Sequence, residues 1–404
     1  MTSFATHLEC ARCAEYYEVT TIQQTCARDG GPLLVRYDLG RVHEAVEREE
    51  LRMRPANLWR YRELIPVERD AAIVSLGEPT TPLLAAPRLG EALGIERLEV
   101  KDEGLLPTGT FKARGAAVGV TRAKELGVTA IALPTAGNAG AAWAAYGARA
   151  GIRVVVVMPE TTPQVIQRET AAYGAEVWLV PGSIADAGAV VKEACAERGW
   201  YDASTLKEPY RIEGKKTMGF ELAEQSGWTL PDVVIYPTGG GVGLIGMWKA
   251  FAELREIGWL RSDASTRFVA VQATGCAPIV RAFEDGADES QPWPDPKTFA
   301  AGIRVPKALG DFLVLRAVRE ASGIAIAVTE EEIAEGMRAA GEREGMLVCP
   351  EGGAALAGAA KLRRDGWIAA SDRVVVLNTG SGLKYAESLQ GHAPRRLAPG
   401  ALPA

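Results

Sequence analysis

Histidine is almost missing from this chain: its 404 residues include three, His7, His43 and His392, all near the termini. That argues against a catalytic triad or a histidine-rich metal centre in the core. Cysteine is scarce as well. Six in a chain of this length cannot staple a disulfide scaffold, and Cys195, Cys276 and Cys349 stand singly in apolar or loop contexts, as packed thiols do. Neither charge sign dominates: 45 Lys and Arg face 51 Asp and Glu, a net charge of −6, with no basic stripe. No nucleic-acid partner is expected. The most apolar segments, such as 152–158, suit buried strands and are too short to span a bilayer. The opening MTSFATHLECARCAEYY lacks the basic start and apolar core of a secretory signal. No membrane partner and a cytoplasmic location are expected.

The sequence does contain enough apolar residues, 47%, to bury more than one core, so two main domains are expected. Residues 1–38 form a separate small unit, in which CARC and TCARD bracket a β-prone run before GGPLLVRYD, as in a hairpin followed by a strand. A helical stretch follows over 42–54. From residue 99 short apolar strands alternate with alanine-rich helices: LEVKD, helix 112–126, TAIALPT, helix 138–150, VVVVMPE, helix 163–173 and EVWLV. A second series runs DVVIYPTGGG, an amphipathic helix over 244–257, FVAVQA and finally RVVVLNTGSG. Each series reads as α/β with a parallel sheet. The prolines and acids of 285–297 predict an exposed loop.

Three loops between these elements carry chemistry. KDEGLLPTGTFKARG puts Lys112 after a tight turn and at the start of a helix. The helix dipole and partial burial both disfavour a charged amine there, so its pKa should fall and its nucleophilicity toward an aldehyde rise. A surface lysine in a first helical turn is an equal reading of the local residues. PTGGGVGLIGMW has glycines that let backbone N–H groups approach a phosphate at a helix N-terminus, although a plain tight turn also uses glycine. It lacks the Lys-Ser/Thr pair of a P-loop and the place and downstream acid of a dinucleotide fingerprint, so one phosphate on a small cofactor fits better. TAGNAGAAWAAYGARAG repeats the strand, turn and helix pattern with Asn138 at the cap. The exposed N–H groups of its turn, at Ala136 and Gly137, and the Thr135 hydroxyl also suit an incoming carboxylate.

In this order and spacing, TGTFKARG, TAGNAG, RIEGKKT, GGGVG and NTGSGLKY resemble the threonine synthase branch of the fold-type II pyridoxal phosphate (PLP) enzymes, from about residue 80 to 385. The resemblance implies an α/β fold of two parallel-sheet, three-layer domains with the cofactor between them. The large PLP domain would take 39–104 and 207–388, the small substrate-side domain 105–206, and a flexible tail 389–404. It further implies that Lys112 holds PLP as a Schiff base and Asn138 partners the PLP 3′-oxygen. Gly239, Gly240, Gly241, Val242 and Gly243 would cradle the phosphate, and Thr379 would face the pyridine nitrogen. A neutral hydroxyl there does not force that nitrogen to stay protonated, which suits elimination and replacement over transamination. Thr135, Ala136, Gly137 and Arg211 fall on the substrate side. In the family reaction, Lys112 shuttles protons at the α and β carbons while phosphate leaves O-phospho-L-homoserine, and water adds to give L-threonine. The expectation is thus a PLP-dependent lyase acting on a small amino-acid substrate, as a homodimer.

Departures from the family pattern bear on the substrate. Arg211 matches a phosphate-binding arginine, but Ala139, Leu206 and Gly240 stand where polar anchors are common, with Lys207 and Lys215 close enough in sequence to help. GGGVG also resembles the serine/threonine dehydratases, so such a dehydratase, or another PLP-dependent β-elimination or replacement enzyme, is the alternative. A non-catalytic amino-acid sensor would not be expected to keep Lys112, the glycine cradle and Thr379 together. A nicotinamide dehydrogenase lacks its fingerprint. At the N-terminus, Cys10-x2-Cys13-x12-Cys26-x2-Asp29 has zinc-ribbon spacing with a non-cysteine fourth position, which His7 or Asp29 could fill. The unit resembles a ribbon-like extension of some threonine synthase relatives. Three soft ligands suit zinc, whereas the incomplete Cys/His set favours a metal-free hairpin. No catalytic role is expected of it.

Overall fold

The computed structural model of the protein describes residues 3–262, 265–389 and 391. Its first sheet is antiparallel, with β1 (Ala5–Cys10) between β2 (Tyr16–Tyr17) and β3 (Leu33–Tyr37). The chain then lays down β4 (Leu83–Ala85) and β5 (Arg97–Asp102). It leaves to build a second sheet from β6 (Ala130–Pro134), β7 (Arg153–Pro159), β8 (Glu176–Val180) and β9 (Tyr201–Asp202). It returns with β10 (Val233–Pro237), β11 (Arg267–Ala273), β12 (Ile324–Val328) and β13 (Arg373–Asn378). The smaller sheet has the order β8-β7-β6-β9 and is parallel throughout. The larger has the order β12-β11-β10-β13-β5-β4 and is parallel except where β4 pairs with β5 at its edge.

The strands form where β-branched runs can be covered on both faces. β10 (VVIYP) is buried at every position, and β7 (RVVVVMP) and β13 (RVVVLN) at every position after the first, the pattern of parallel strands flanked by helices. β8 differs because it is an edge: Trp178 is 61% and Leu179 45% exposed.

Two helices, Lys112–Glu125 and Arg211–Gln225, meet backbone to backbone. A Cβ on Gly214 would stand 2.0 Å from the Arg114 carbonyl oxygen, so nothing larger fits without separating them. The contact is pinned by a fully buried charge network. Arg114 donates through Nε to Glu103 at 2.6 Å and through Nη1 and Nη2 to Glu221 at 2.5 and 2.8 Å. Lys101 of β5 reaches the same Glu221 at 2.7 Å. Burial alone would lift the Glu221 carboxyl, yet Arg114 and Lys101 hold it well below the ordinary range.

The strand runs from 97 to 180 and the β10, β11 and β13 runs lie where the sequence places them, and 285–297 contains no helix or strand. Over 42–54 the expected helix is instead Leu39–Ala45 followed by a 3-10 segment, Arg48–Met53, because Val46 adopts an extended conformation between them. The sequence reading passed over β12 and the helices Ile184–Arg198, Asp311–Glu320, Glu330–Glu344 and Pro350–Arg364. The tail expected over 389–404 lies, apart from residues 389 and 391, outside the described residues. Among those described, no helix is long and apolar enough to cross a membrane.

Breaking the buried network should be costly, because two cations would keep their burial and lose their shared anion. Glu221→Ala should lower the urea unfolding free energy by ~3–5 kcal/mol, followed by tryptophan fluorescence. A loss below about 1 kcal/mol, the scale of an exposed pair, would show that the network does not hold the helices.

Candidate active site

Loops leaving the carboxyl ends of both parallel sheets line one cavity of about 360 Å³. β5 leads to the turn before Lys112, β6 to Thr135–Asn138, β10 to Gly239–Val242 and β13 to Thr379. Backbone contacts fix two of these against each other. Phe111 N–H donates to the Thr379 carbonyl at 3.0 Å and Ser381 N–H to that of Gly109 at 2.9 Å, so Lys112 and Thr379 arrive on the same wall.

Lys112 begins a 14-residue helix whose first turn has no acidic residue. Burial first, and then the nearby Arg211 charge, lower its pKa to about 8, with Glu351 opposing. Its amine lies 4.4 Å from the centroid of the Phe111 ring. Lys215, on the neighbouring helix, donates to the Phe111 carbonyl. Burial, Lys112 and Arg211 push its pKa well below the usual lysine value.

Asn138 does not cap its helix. No backbone N–H of the Ala139–Ala150 helix bonds to its side chain. Instead Asn138 Nδ2 donates to Tyr385 Oη at 2.7 Å, and its Oδ1 is buried without a protein partner. Tyr385 in turn donates to Glu351 at 3.4 Å, and Glu351 accepts the Gly302 N–H at 2.6 Å. Thr135 Oγ1 closes the turn locally, accepting from Gly137 N–H at 3.0 Å and bonding its carbonyl at 2.9 Å.

The glycine run opens the 16-residue helix Val242–Ile257. Gly241 has φ +73°, and a Cβ there would stand 2.1 Å from Val314 Cγ2, so glycine is required by conformation and packing alike. Arg211 spends two of its N–H groups inside the protein, on Thr205 Oγ1 at 2.9 Å and on the Ala203 carbonyl, while its buried Nε has no partner.

All the sequence-predicted residues of the catalytic, cofactor and substrate sets line this cavity except Gly243, which lies against Tyr236. Of the two lysines near Arg211, Lys215 lines it and Lys207 pairs with Asp202 at 2.9 Å. The sequence reading missed Arg304, Lys307, Cys349, Glu351 and Tyr385, which also line it. Glu351 sits in the first turn of the Pro350–Arg364 helix, a place where an acid is ordinarily explained by the helix dipole. The N-terminal candidates form a separate group: Cys10, Cys13, Cys26 and Asp29 have one ligand atom each within 4.8 Å of the others, and His7 is not among them.

Comparison with known proteins gives a consistent picture. A family model described as pyridoxal-phosphate dependent enzyme matches residues 74–380. A threonine synthase of Methanocaldococcus jannaschii is 39% identical over 376 residues, 93% of this chain and 92% of that protein. A threonine synthase of Methanosarcina acetivorans is 37% identical over 379 residues, 94% of this chain and 92% of its own. The solved structure of the processed form of threonine deaminase isoform 2 from Solanum lycopersicum is similar in fold, with a TM-score of 0.66 at 22% identity over 83% of this chain and 94% of that one.

The cavity fits pyridoxal phosphate. Such a cofactor calls for a reactive amine, a partner for its ring oxygen, a donor-rich cradle for one phosphate and a partner for the ring nitrogen. The cavity has Lys112, the Asn138 side-chain amide, whose NH2 group can donate to a ring oxygen, a glycine turn at a helix N-terminus, and the Thr379 hydroxyl.

The lowered amine predicts how cofactor capture depends on pH. The neutral form of Lys112 is present above about 8 and lost below it, so the rate at which apoprotein takes up pyridoxal phosphate, read from the visible band, should rise with pH and level off above that value. A rise continuing toward about 10, where ordinary lysines titrate, would refute a perturbed amine.

Proposed function

Because the chain belongs to the threonine synthase-like, fold-type II branch of the pyridoxal-phosphate dependent enzymes and is thereby a PLP-dependent lyase, we propose that it converts O-phospho-L-homoserine and water to L-threonine and inorganic phosphate. The observation that carries this reading is the charge on the cavity wall. Lys112, Lys215, Arg211, Arg304 and Lys307 line it against one carboxylate, Glu351, and since burial and its neighbours disfavour the charge on Lys215, the two arginines carry most of the surplus. Lys307 is neutralised by Asp311 at 2.6 Å, but the Arg304 guanidinium has no ion pair or hydrogen bond among the described residues. A cofactor phosphate accounts for part of this excess, and a second phosphate on the substrate accounts for the remainder.

Lys112, Asn138, Thr379 and the turn Gly239–Gly243 would hold the cofactor, which when bound supplies an electron sink for negative charge at the substrate α carbon. Lys112 then serves as the base and acid of the site. With a pKa of about 8 its amine can take the proton from the α carbon and return protons at the carbons where bonds change, close to neutral pH. Arg211 and Arg304 hold the phosphate as the bond between the γ carbon and its oxygen breaks. The Ala136 N–H would orient the carboxylate at the mouth of a turn that Thr135 and Gly137 hold closed by bonding each other. Thr379 would offer its hydroxyl to the ring nitrogen, which favours elimination and replacement over transamination. The reading carries with it a cytoplasmic homodimer, a small lobe of residues 105–206 and a large lobe of 39–104 and 207–388. Zinc belongs to it only as a structural ion of the N-terminal cysteines.

A serine/threonine dehydratase is the second reading, favoured by the apolar or bare positions Ala139, Leu206 and Gly240. Parallel assays separate the two: phosphate release from O-phosphohomoserine against 2-oxo acid formation from threonine and serine. Lys112→Ala should abolish turnover with the fold intact. Arg211→Ala should lower phosphate release roughly ten- to a hundredfold, the equivalent of a charge-assisted contact of about 1.5–3 kcal/mol, and change deamination much less. Wild-type protein that forms oxo acid readily and releases no phosphate would replace the first reading with the second.

A further inference from the structure

CARCA at 10–14 and CARDG at 26–30 are one turn written twice. In each, the N–H of the fifth residue donates to the carbonyl of the first, Ala14 to Cys10 at 3.0 Å and Gly30 to Cys26 at 2.9 Å. In each, the fifth residue has a positive φ, +57° at Ala14 and +70° at Gly30. A positive φ is uncommon for alanine, so the first turn holds its shape against local preference.

The two turns present their side chains to a common point. The Cys13 and Cys26 sulfurs are 3.6 Å apart, and Cys10 Sγ is 3.4 Å from Asp29 Oδ1. A tetrahedral zinc ion with Zn–S about 2.3 Å and Zn–O about 2.0 Å has edges of about 3.8 Å between sulfurs and about 3.5 Å between sulfur and oxygen. Both observed edges lie close to these. The surrounding donors suit thiolates and a bound carboxylate. Arg12 N–H points to Cys10 Sγ at 3.4 Å, Tyr17 Oη to Cys26 Sγ at 3.2 Å, and Gly31 N–H to Asp29 Oδ1 at 2.8 Å. Gly31 leaves room for the group, since a Cβ there would meet Asp29 Oδ1 at 2.9 Å and Cys10 Sγ at 3.1 Å.

We propose that Cys10, Cys13, Cys26 and Asp29 bind one zinc ion, with Asp29 in the place of a fourth thiolate and His7 outside the ligand set. His7 lies three residues before Cys10 on the same strand, hence on the opposite face, where it contacts Thr6 and Tyr16. The ion braces the cavity from both sides. Arg12, in the first turn, lies 4.0 Å over the Phe312 ring and pairs with Glu289. Phe312 adjoins Asp311, the partner of cavity residue Lys307. Gln24, just before the second turn, donates to the Asp202 carbonyl, next to the Ala203 carbonyl that holds Arg211.

This inference deepens the structural-zinc part of the proposed function and is independent of the substrate, because it is measured without turnover. Full-length holoenzyme, purified reduced, should contain one zinc per chain by mass spectrometry of metals. Cobalt(II) in its place should give the intense visible bands of a tetrahedral thiolate site. Asp29→Ala should weaken cobalt binding by more than the roughly ten- to hundredfold that loss of a group behind a ligand costs, Asp29→Cys should strengthen it, and His7→Ala should leave it unchanged. Metal-free wild-type protein that gives no cobalt spectrum, while Asp29→Cys binds cobalt, would overturn the proposal. So would loss of the metal in His7→Ala with retention in Asp29→Ala.

Discussion

Arg114 is the residue on which the site's geometry depends. It is wholly buried, so its charge persists only because Glu103 and Glu221 face it and Lys101 and Thr81 complete the hydrogen bonds of those carboxylates. The network joins β5, the Lys112 helix and the Arg211 helix, each within a few residues of the cavity wall. It also decides the electrostatics there. Glu103 and Glu221 are consumed by Arg114 and Lys101, and Glu213 by Lys216 and Lys249. Glu208 is held by the N–H groups of Tyr210 and Arg211. Apart from Glu351, which lines the cavity, the acids nearest it are therefore spoken for, and the Arg304 guanidinium is left without an acidic partner among the described residues.

The hydrogen-bond chain from Asn138 through Tyr385 and Glu351 to Gly302 crosses between the two parallel sheets. It ties the loop after β6 to the helix before β13 and to the loop that carries Arg304. A ligand touching Asn138 thus touches a contact that joins the two halves of the fold, and the Oδ1 left unpaired there is an acceptor open to a donor group.

Much of the fold was legible because a parallel sheet leaves continuous apolar runs, and β5 to β8, β10, β11 and β13 each stand as one between turns. β12, IAIAV, is just as apolar, but it follows SG with no signal linking it to the series. The site was legible where function and local structure share a loop, as at Lys112 and Thr379. It was not legible where partners meet only in space: Tyr385 lies 247 residues from Asn138 and 34 from Glu351. The glycine run misleads in a different way. Gly241 and Gly243 are demanded by Val314 and Tyr236 before any phosphate is considered, so the motif by itself carries little information about ligand. At the N-terminus, spacing left His7 and Asp29 equivalent as a fourth ligand, although strand alternation already separates His7 from Cys10.

The same burial that lowers Lys112 links its protonation to what occupies the cavity. After burial itself, the largest force holding its pKa near 8 is the Arg211 charge. An anion bound to Arg211 screens that charge and adds its own attraction, which at about 6 Å and an effective dielectric of about 20 is worth roughly 3 kcal/mol. The free protein therefore presents an amine that titrates near 8 and keeps a minor neutral, nucleophilic fraction near neutral pH, while the protein with an anion beside Arg211 presents a more basic one that retains its proton. When the anion leaves, the pKa of Lys112 falls back toward about 8 and its proton is released more readily. A buried lysine with an arginine neighbour, and no acid paired to it, is thus suited to alternate between base and acid as a charged group arrives and departs.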